Sequence, residues 1–177
     1  AQKGKRSLFY ANSSAVRLGN IYSQEYIHVN RGVNGIEGSL SVAVGYLYEA
    51  SKDEQVYCVI GDLSFFYDNN ALWNISTKRH LKVLLLNNGG GGIFYQMKDP
   101  RKSPYYEKYI AASHQVSAEG ICHSYGLQYL SAHNEEELRE QMQRFVTDKE
   151  GALLLEVFTK ADADAQVMEE YYRKIVR

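Results

Sequence analysis

Two short apolar runs that each end in a polar, turn-forming cluster constrain the fold of this chain more than any other feature. Residues 56–60 (VYCVI) stop at Gly61 and Asp62, and residues 83–86 (VLLL) stop at the NNGG of residues 87–90. Such runs are typical of strands buried on both faces of a sheet. In an open parallel sheet, ligands bind at the carboxyl ends of the strands, and a right-handed helical crossover places consecutive strands side by side. The sequence therefore predicts that the two polar clusters lie together and share one cation.

Strand-like runs alternate with helical patterns along the whole chain. Strands are predicted at residues 8–10, 26–30, 56–60, 82–86, 127–131 and 152–158. Helices are predicted at residues 15–18 and 36–50, then after an N-cap at Asp68 or Asn69, and at residues 115–125, 134–147 and 165–177. This alternation predicts an α/β fold, a doubly wound, mostly parallel sheet with helices on both faces. Residues 96–113, which hold both prolines, are predicted to form a long irregular flap over the site.

The size and charge of the chain limit the classes of function. With 177 residues, 45% of them hydrophobic, the chain can build one full core, so residues 1–177 are predicted to form a single domain. The 20 Lys and Arg residues nearly balance the 21 Asp and Glu residues. The net charge of -1 gives no general attraction to nucleic acid or to an acidic membrane surface. Any phosphate binding must therefore be local.

The cysteines and the chain ends bear on the cellular compartment. Cys58 in a strand and Cys122 in a helix are interpreted as buried thiols of a reducing compartment, and a cytoplasmic location is expected. The five histidines lack the spacing of zinc ligands, so no zinc is expected. No apolar run approaches the roughly 20 residues of a membrane span, and the amino end lacks the apolar core of a signal peptide. The chain does not begin with Met, which suggests a fragment of a longer protein.

The cluster after the first run carries the first candidate site. Asp62 directly follows a buried strand and a glycine that lets the backbone turn, which suits a hard cation such as Mg²⁺. Ser64 could donate its hydroxyl to a phosphate. Taken alone, these residues are more typical of a strand-end turn, in which an aspartate binds its own backbone.

The Asn and Gly residues at 87–92 have two interpretations. Asn-Gly between apolar runs is the usual signal of a β-hairpin turn. The return run at residues 93–96 is short, however, and a glycine run lets backbone groups approach an ion or a pyrophosphate closely. At the level of the residues, a hairpin and a ligand loop are equally favoured.

Taken together, the two clusters resemble the fingerprint of a known family. Gly-Asp, then roughly 25 residues with one helix and one strand, then Asn-Asn-Gly is similar to the thiamine-diphosphate fingerprint of carboligases and decarboxylases. The resemblance implies that Asp62, Asn88 and the Gly90 carbonyl hold Mg²⁺ or Mn²⁺, which anchors the cofactor diphosphate, with Ser64 nearby. The family usually has glycine where this chain has Leu63, and the interval from Asp62 to Asn88 is slightly short.

Four stretches resemble one branch of this family, the carboligases of menaquinone biosynthesis. They are NSSAVR at residues 12–17, NRGVNGIEG at 30–38, GDLSFFYDNNAL at 61–72 and NNGGGGIF at 87–94. The resemblance implies that Ile36 is the catalytic hydrophobe beneath the thiazolium ring, where it holds the cofactor in its bent form. It also implies that the remaining site residues contact either the cofactor (Leu63 and Ile93) or the substrates (Ser13, Arg17, Arg31 and Phe94).

The implied reaction is the decarboxylation of 2-oxoglutarate followed by carboligation to isochorismate. Both substrates are carboxylic acids, and the planar guanidinium groups of Arg17 and Arg31 match carboxylates at two points. The alternatives are another carboligase of the family, such as an acetohydroxyacid synthase acting on pyruvate, and a non-catalytic module that binds a diphosphate. Leu63 and the arginine pair favour the first interpretation.

The same resemblance implies that part of the active site is missing from this chain. Enzymes of this family activate the cofactor with a glutamate from a separate amino-terminal domain, usually of a partner subunit. Glu37 does not fill that role, because as the second residue of a predicted helix it is more simply a favourable charge at the helix dipole. The chain is therefore expected to be the cofactor-diphosphate domain of a longer homodimeric or homotetrameric enzyme, without activity alone.

Overall fold

A computed structural model describes residues 5–32, 34–75 and 80–175, and within them strands and helices alternate. The strands are β1 (Arg6–Tyr10), β2 (Ile27–Val29), β3 (Gln55–Gly61), β4 (Leu81–Asn87), β5 (Gln128–Ala132) and β6 (Leu153–Phe158). The α-helices are α1 (Ser14–Tyr22), α2 (Ser39–Glu49), α3 (Asp62–Asp68), α4 (Glu119–Tyr125), α5 (Glu135–Thr147) and α6 (Ala161–Ile175).

The strands form one sheet in the order β2-β1-β3-β4-β6-β5, and each described pairing is parallel. The chain runs outward from β1 to β2 and then returns across β1 to continue with β3 and β4. A topological switch point therefore lies between β1 and β3, which is where ligands bind in open α/β sheets. The predicted doubly wound, mostly parallel sheet is confirmed.

Helices cover both faces of the sheet. On one face, α2, α3 and α4 pack over a large core that includes the fully buried Leu40 and Phe65. On the other face, Phe145 of α5 packs over a smaller core formed with β5 and β6. Successive strand side chains point to opposite faces, so Leu154 joins the large core and Leu155 the small one.

The helix after β3 begins earlier than the sequence predicts. Asp68 is the last residue of α3, which begins at Asp62, and it also takes the predicted N-cap position, before a 3₁₀ helix and without a side-chain capping hydrogen bond. The Asp68 carboxylate instead accepts hydrogen bonds from the backbone N–H (2.8 Å) and the hydroxyl (2.5 Å) of Ser41 in α2. A 3₁₀ helix, Asn69–Leu72, follows, and residues 76–79 of the predicted helix lie outside the described part of the chain.

Three other helices begin three or four residues from their predicted starts. Helix α2 begins at Ser39 rather than at residue 36, after Gly38 with φ 79°, so Ile36 and Glu37 lie in the preceding bend and not in the first helical turn. Helix α4 begins four residues later than predicted and α6 four residues earlier. The predicted last residues of α6, 176 and 177, are not among the described residues. Helix α6 is 15 residues long, and no helix in the described part of the chain is long and apolar enough to cross a membrane.

The loop after β4 is not a hairpin. Strand β4 ends at Asn87, and a 3₁₀ helix, Gly92–Gln96, follows where a hairpin would place its return strand. The hairpin interpretation is therefore wrong. The predicted flap is not wholly irregular either, since it contains a 3₁₀ helix, Pro100–Lys102, and a π-helix, Tyr106–Ile110.

At the opposite edge of the sheet, a buried carboxylate ties the amino ends of β1 and β3 together. Glu54 accepts hydrogen bonds from the Ser7 hydroxyl (2.6 Å) and the Tyr46 hydroxyl (2.9 Å), and it pairs with the Lys5 ammonium group at 2.8 Å. The hydrogen bonds from Lys5 and Ser7 lower the pKa of Glu54 from its ordinary value of 4.5 to about 2.

This lowered pKa gives a pH-dependent prediction. Ionised Glu54 stabilises the fold above its unfolded pKa, and the contribution is lost as the pH falls from about 4.5 toward about 2. We expect Glu54→Gln to lower the free energy of unfolding by about 1–2 kcal/mol at pH 7, and the difference from wild type to shrink across that window. Urea denaturation at several pH values measures it, and the exposed Glu49→Gln serves as control. A difference that stays constant down to pH 3 would contradict the assignment.

Candidate functional site

The carboxyl edge of the sheet brings the ends of β1, β3 and β4 to one level. Gly61 of β3 pairs with Leu86 of β4, so the residues that follow them, Asp62 and Asn87, come side by side. The end of β1 reaches the same edge, since the Ala11 N–H donates to the Val59 carbonyl of β3 at 2.9 Å. The polar residues after the three strands therefore surround the switch point.

Asp62 is the central group of this edge. Its side chain is buried, and the residue is 3% exposed. One carboxylate oxygen, Oδ1, accepts the Leu63 N–H at 2.7 Å, and the other, Oδ2, accepts the Gly90 N–H at 2.8 Å. The bond to its neighbour is the strand-end turn that the sequence suggests, while the bond to Gly90 spans 28 residues and joins the two predicted clusters.

The electrostatics around Asp62 favour a cation. Burial raises the pKa of Asp62, and the N–H groups of Leu63 and Gly90 oppose that effect. The His114 Nε2 atom lies 3.3 Å from Oδ2 without forming an aligned hydrogen bond. Its Nδ1 atom accepts the Val116 N–H at 3.1 Å. The carboxylate is thus buried among N–H groups without a full positive charge from a Lys or Arg of the described residues.

Asn88 is held on the other side of the loop. Its Nδ2 atom donates to Asp164 Oδ2 at 3.1 Å, and Asp164 also accepts the Thr159 hydroxyl at 2.7 Å. Asp164 lies in the acidic first turn of α6. The structure therefore joins Asp62 directly to Gly90, and it positions Asn88 through Asp164 of α6.

Gly90 occupies a position that only glycine fits. Its φ is 150°, and a Cβ atom added there would lie 2.7 Å from the Ala111 carbonyl oxygen. The neighbouring Gly91 N–H donates to that same oxygen at 2.6 Å, and the His114 N–H donates to the Gly89 carbonyl at 2.9 Å. The glycine run thus lies directly against the backbone of residues 111–114.

The remaining predicted cofactor residues flank this loop. Leu63 is half-buried, and Ser64 is buried in the first turn of α3. Ile93 and Phe94 lie half-buried in the 3₁₀ helix that follows the glycine run. Ile36 is half-buried in the bend before α2.

Ser13 stands out by its backbone. It follows β1 with φ 70° and ψ -127°, an uncommon conformation for a residue with a side chain. The preceding Asn12 is buried, and its Nδ2 atom donates to the carbonyls of Asn30 (3.0 Å) and Gly35 (2.5 Å). Asn12 therefore ties the turn that carries Ser13 to the loop that leads to Ile36.

The two predicted carboxylate-binding arginines are both exposed. Arg17 lies one helical turn after Ser13, and its N–H donates to the Ser13 carbonyl at 3.4 Å. The Arg31 guanidinium donates to the Asn34 side chain at 3.0 Å. The structure thus places Arg17 near Ser13 along α1, whereas Arg31 is engaged within its own loop.

A cleft of about 710 Å³ opens between the ends of β4 and β6 and residues 95–116. Asn88 is the only predicted site residue that lines it, together with Tyr95, Arg101, Glu107 and Lys160. The predicted flap therefore forms one wall of a cleft beside Asn88. Within the described residues, no three His, Cys, Asp or Glu side chains are grouped to hold a metal, so a cation here would depend on mixed carboxylate, amide and carbonyl oxygens.

Sequence reasoning does not single out Asn12, His114, Glu156 and Asp164 at this edge. Each makes its contact across a long stretch of sequence, from 18 residues for Asn12 to Asn30 up to 76 for Asp164 to Asn88. The one available signal was Glu156, an acidic residue in the middle of an apolar strand. A charge at such a position is rare unless it is hydrogen-bonded.

The parallel sheet and the two loops joined by Asp62 place a buried carboxylate at the switch point, where ligands bind in open α/β folds. A sequence profile described as thiamine pyrophosphate enzyme, C-terminal TPP binding domain matches residues 12–157. The chain belongs to this family.

Within the family, curated relatives agree in name. The chain is 45% identical over 174 residues to the 2-succinyl-5-enolpyruvyl-6-hydroxy-3-cyclohexene-1-carboxylate synthase of Bacteroides thetaiotaomicron, covering 96% of this chain and 31% of that protein. It is 44% identical over 171 residues to the protein of the same name from Phocaeicola vulgatus, covering 94% and 30%. The relative from Christiangramia forsetii is 39% identical over 168 residues, which is 93% of this chain and 29% of that protein. The chain thus spans about three tenths of the length of these relatives.

A solved structure shows the same fold. Benzoylformate decarboxylase from Polynucleobacter necessarius superposes with a TM-score of 0.70 over 91% of this chain and 31% of that chain, at 17% sequence identity. At this identity the likeness supports the fold.

Proposed function

We propose that this chain is the cofactor-diphosphate domain of a thiamine-diphosphate-dependent enzyme that decarboxylates 2-oxoglutarate and joins the product to isochorismate. The observation that carries the proposal is the hydrogen bond from Gly90 to the buried Asp62, within a chain 45% identical to a named carboxylate synthase. It fits the names of the relatives, which form a 2-succinyl product bearing a cyclohexene carboxylate.

The residues present fit a divalent cation. Asp62 is a buried carboxylate whose pKa is raised by burial, so a cation would relieve the cost of its negative charge. The Asn88 amide and the Gly90 carbonyl would complete a set of oxygen ligands of the kind that Mg²⁺ and Mn²⁺ use. Glycine is required at position 90 of this loop, because a side chain there would collide with the Ala111 carbonyl oxygen.

The other site residues have separate roles in this proposal. Ser64, in the first turn of α3, would donate to the diphosphate, and Leu63 and Ile93 would pack beside it. Ile36 would support the thiazolium ring, and thiamine diphosphate supplies the electron sink that decarboxylation of a 2-oxo acid needs.

For the substrates, Arg17 and Arg31 would bind carboxylates through paired N–H donors. Ser13 and Phe94 would shape the pocket around them. The strained backbone of Ser13, with φ 70°, supports a functional role, since such strain persists where the surrounding structure needs it.

The remainder of the enzyme lies outside this chain in our proposal. The chain spans 31% of its relative from Bacteroides thetaiotaomicron, and we propose that amino-terminal and middle domains supply the activating glutamate within a homodimer or homotetramer. We also propose a cytoplasmic location. The two cysteines, Cys58 and Cys122, are buried free thiols, which supports a reducing compartment.

The test is the release of carbon dioxide by the full-length protein with Mg²⁺ and thiamine diphosphate. We expect release from 2-oxoglutarate, carboligated product only when isochorismate is present, and no turnover by the isolated 177-residue chain. Pyruvate is the competing substrate. Activity on pyruvate alone would replace the substrates and keep the cofactor, and activity on neither would indicate a non-catalytic diphosphate-binding module. Turnover by the isolated chain would show that no further domain is needed.

A further inference from the structure

A second buried carboxylate lies behind the cofactor loop. Glu156 of β6 is 0% exposed, and among the described residues no Lys, Arg or His forms an ion pair with it. Four groups donate to it: Asn87 Nδ2 (2.7 Å), the Ala118 N–H (3.1 Å), the Ser117 hydroxyl (2.8 Å) and the Tyr129 hydroxyl (2.6 Å). A buried carboxylate is costly unless such donors satisfy it, and here they come from β4, β5 and the segment before α4.

Through Asn87, this carboxylate reaches the loop that holds the proposed ligands. Asn87 Nδ2 donates to Glu156 and also to the Val116 carbonyl at 2.9 Å, while Asn87 Oδ1 accepts the Gly89 N–H at 3.1 Å. Glu156 therefore fixes the Asn87 side chain, and that side chain fixes the backbone on which Asn88 and Gly90 follow.

The loop is also supported from its other side by residues 111–118. The Gly91 N–H donates to the Ala111 carbonyl, and the His114 N–H donates to the Gly89 carbonyl. The far end of this segment is fixed at Ser117 and Ala118, which both donate to Glu156. Both supports of the glycine loop thus converge on one carboxylate.

We propose that Glu156 is a positioning residue for the cofactor and metal loop, acting through Asn87 and through residues 111–118. The proposal rests on the proposed function, because it concerns the same loop. A residue that hydrogen-bonds to a metal-binding loop and orients it can change the affinity for the metal without contacting the metal. A carboxylate suits this role, since its oxygens accept several strong hydrogen bonds at once.

The test measures binding of thiamine diphosphate to the full-length protein by calorimetry in the presence of Mg²⁺. We expect Asn87→Leu and Glu156→Leu each to raise the Kd by about tenfold or more. The double variant should bind no more weakly than the worse of the two single variants, because the bond between Asn87 and Glu156 is lost in both. The KM for the cofactor should rise, while kcat measured at saturating cofactor should change little.

Two control variants separate positioning from general loss of stability. Tyr129→Phe removes a donor to the same carboxylate but leaves the Asn87 bond in place. Leu155→Ala opens a cavity on the opposite face of the same strand. Both should lower the melting temperature and leave the Kd close to that of wild type. Glu156→Gln keeps an acceptor for Asn87, so it should retain most of the affinity and keeps the test decisive if Glu156→Leu fails to fold.

A readout without ligand completes the test. In the cofactor-free protein, Asn87→Leu should speed amide hydrogen exchange at residues 87–91 relative to Tyr129→Phe. Unchanged Kd and exchange in folded Asn87→Leu would overturn the positioning role alone. Equal losses of affinity in the two controls would also overturn it, in favour of a general structural role. A wild-type protein that binds no thiamine diphosphate with Mg²⁺ would overturn the proposed function together with this inference.

Discussion

Asp62→Ala in the full-length protein is expected to abolish Mg²⁺-dependent binding of thiamine diphosphate and, with it, carbon dioxide release. Asp62 is the only ionised group in the proposed ligand set, and it also accepts the Gly90 N–H at 2.8 Å. The substitution therefore removes the charge that offsets the cation and the contact that joins the two loops. We expect the Kd for the cofactor to rise on the order of a hundredfold or more. This is a larger loss than the one expected when a residue that only orients a metal ligand is removed.

The matched control is Asp68→Ala, which removes the other buried carboxylate of α3. Asp68 binds Ser41 of α2 rather than the loop, so this variant should lose stability and keep its affinity for Mg²⁺ and cofactor. Calorimetry with and without Mg²⁺ measures both variants. If Asp62→Ala bound the cofactor as wild type does, Asp62 would not be a metal ligand.

Gly90→Ala is expected to have the next largest effect, because it deforms the loop without removing any charge. A Cβ atom there would lie 2.7 Å from the Ala111 carbonyl oxygen, and the φ of 150° disfavours a side chain. The atom that it meets belongs to backbone and cannot move aside as a flexible side chain can. We expect the free energy of unfolding to fall by about 1–3 kcal/mol, and the Kd for the cofactor to rise by about tenfold or more.

Gly120→Ala is the control for this substitution. Gly120 lies in α4 with no atom within 4 Å of an added Cβ, so alanine there should be neutral or stabilise by about 0.5–1 kcal/mol. Urea denaturation and calorimetry on both variants measure the two effects. Wild-type affinity in a folded Gly90→Ala protein would show that the loop tolerates a side chain and would weaken its assignment as a ligand loop.

The sequence predicted the fold well because its signals are local. Apolar runs of strand length alternate with helical patterns, and each strand predicted from such a run is present within one or two residues of its predicted bounds. The polar clusters at Asp62 and at residues 87–90 were placed at the carboxyl edge for the same reason, since the parallel topology follows from the alternation. The contact between Asp62 and Gly90 is consistent with that placement.

The predictions that failed concern residues whose partners are distant in the chain. Asp68 takes an N-cap position as predicted, but its carboxylate makes no capping bond and instead binds Ser41, which lies 27 residues earlier. Residues 115–118 resemble the start of a helix, but the Ala118 N–H donates to Glu156, 38 residues later. The hairpin interpretation failed because the glycine run packs against residues 111–114 instead of turning back on its own strand.

The sequence by itself determined the alternating elements, the parallel sheet and the strand ends at which the site lies, because hydrophobic periodicity and turn-forming residues act over a few neighbours. Only the tertiary structure decided which polar groups meet there. Asp62 with Gly90, Asn88 with Asp164, and Asn87 with Glu156 are contacts across 28 to 76 residues. Their geometry depends on how the helices pack and on which buried polar groups must find partners, and that information is not contained in any local stretch of sequence.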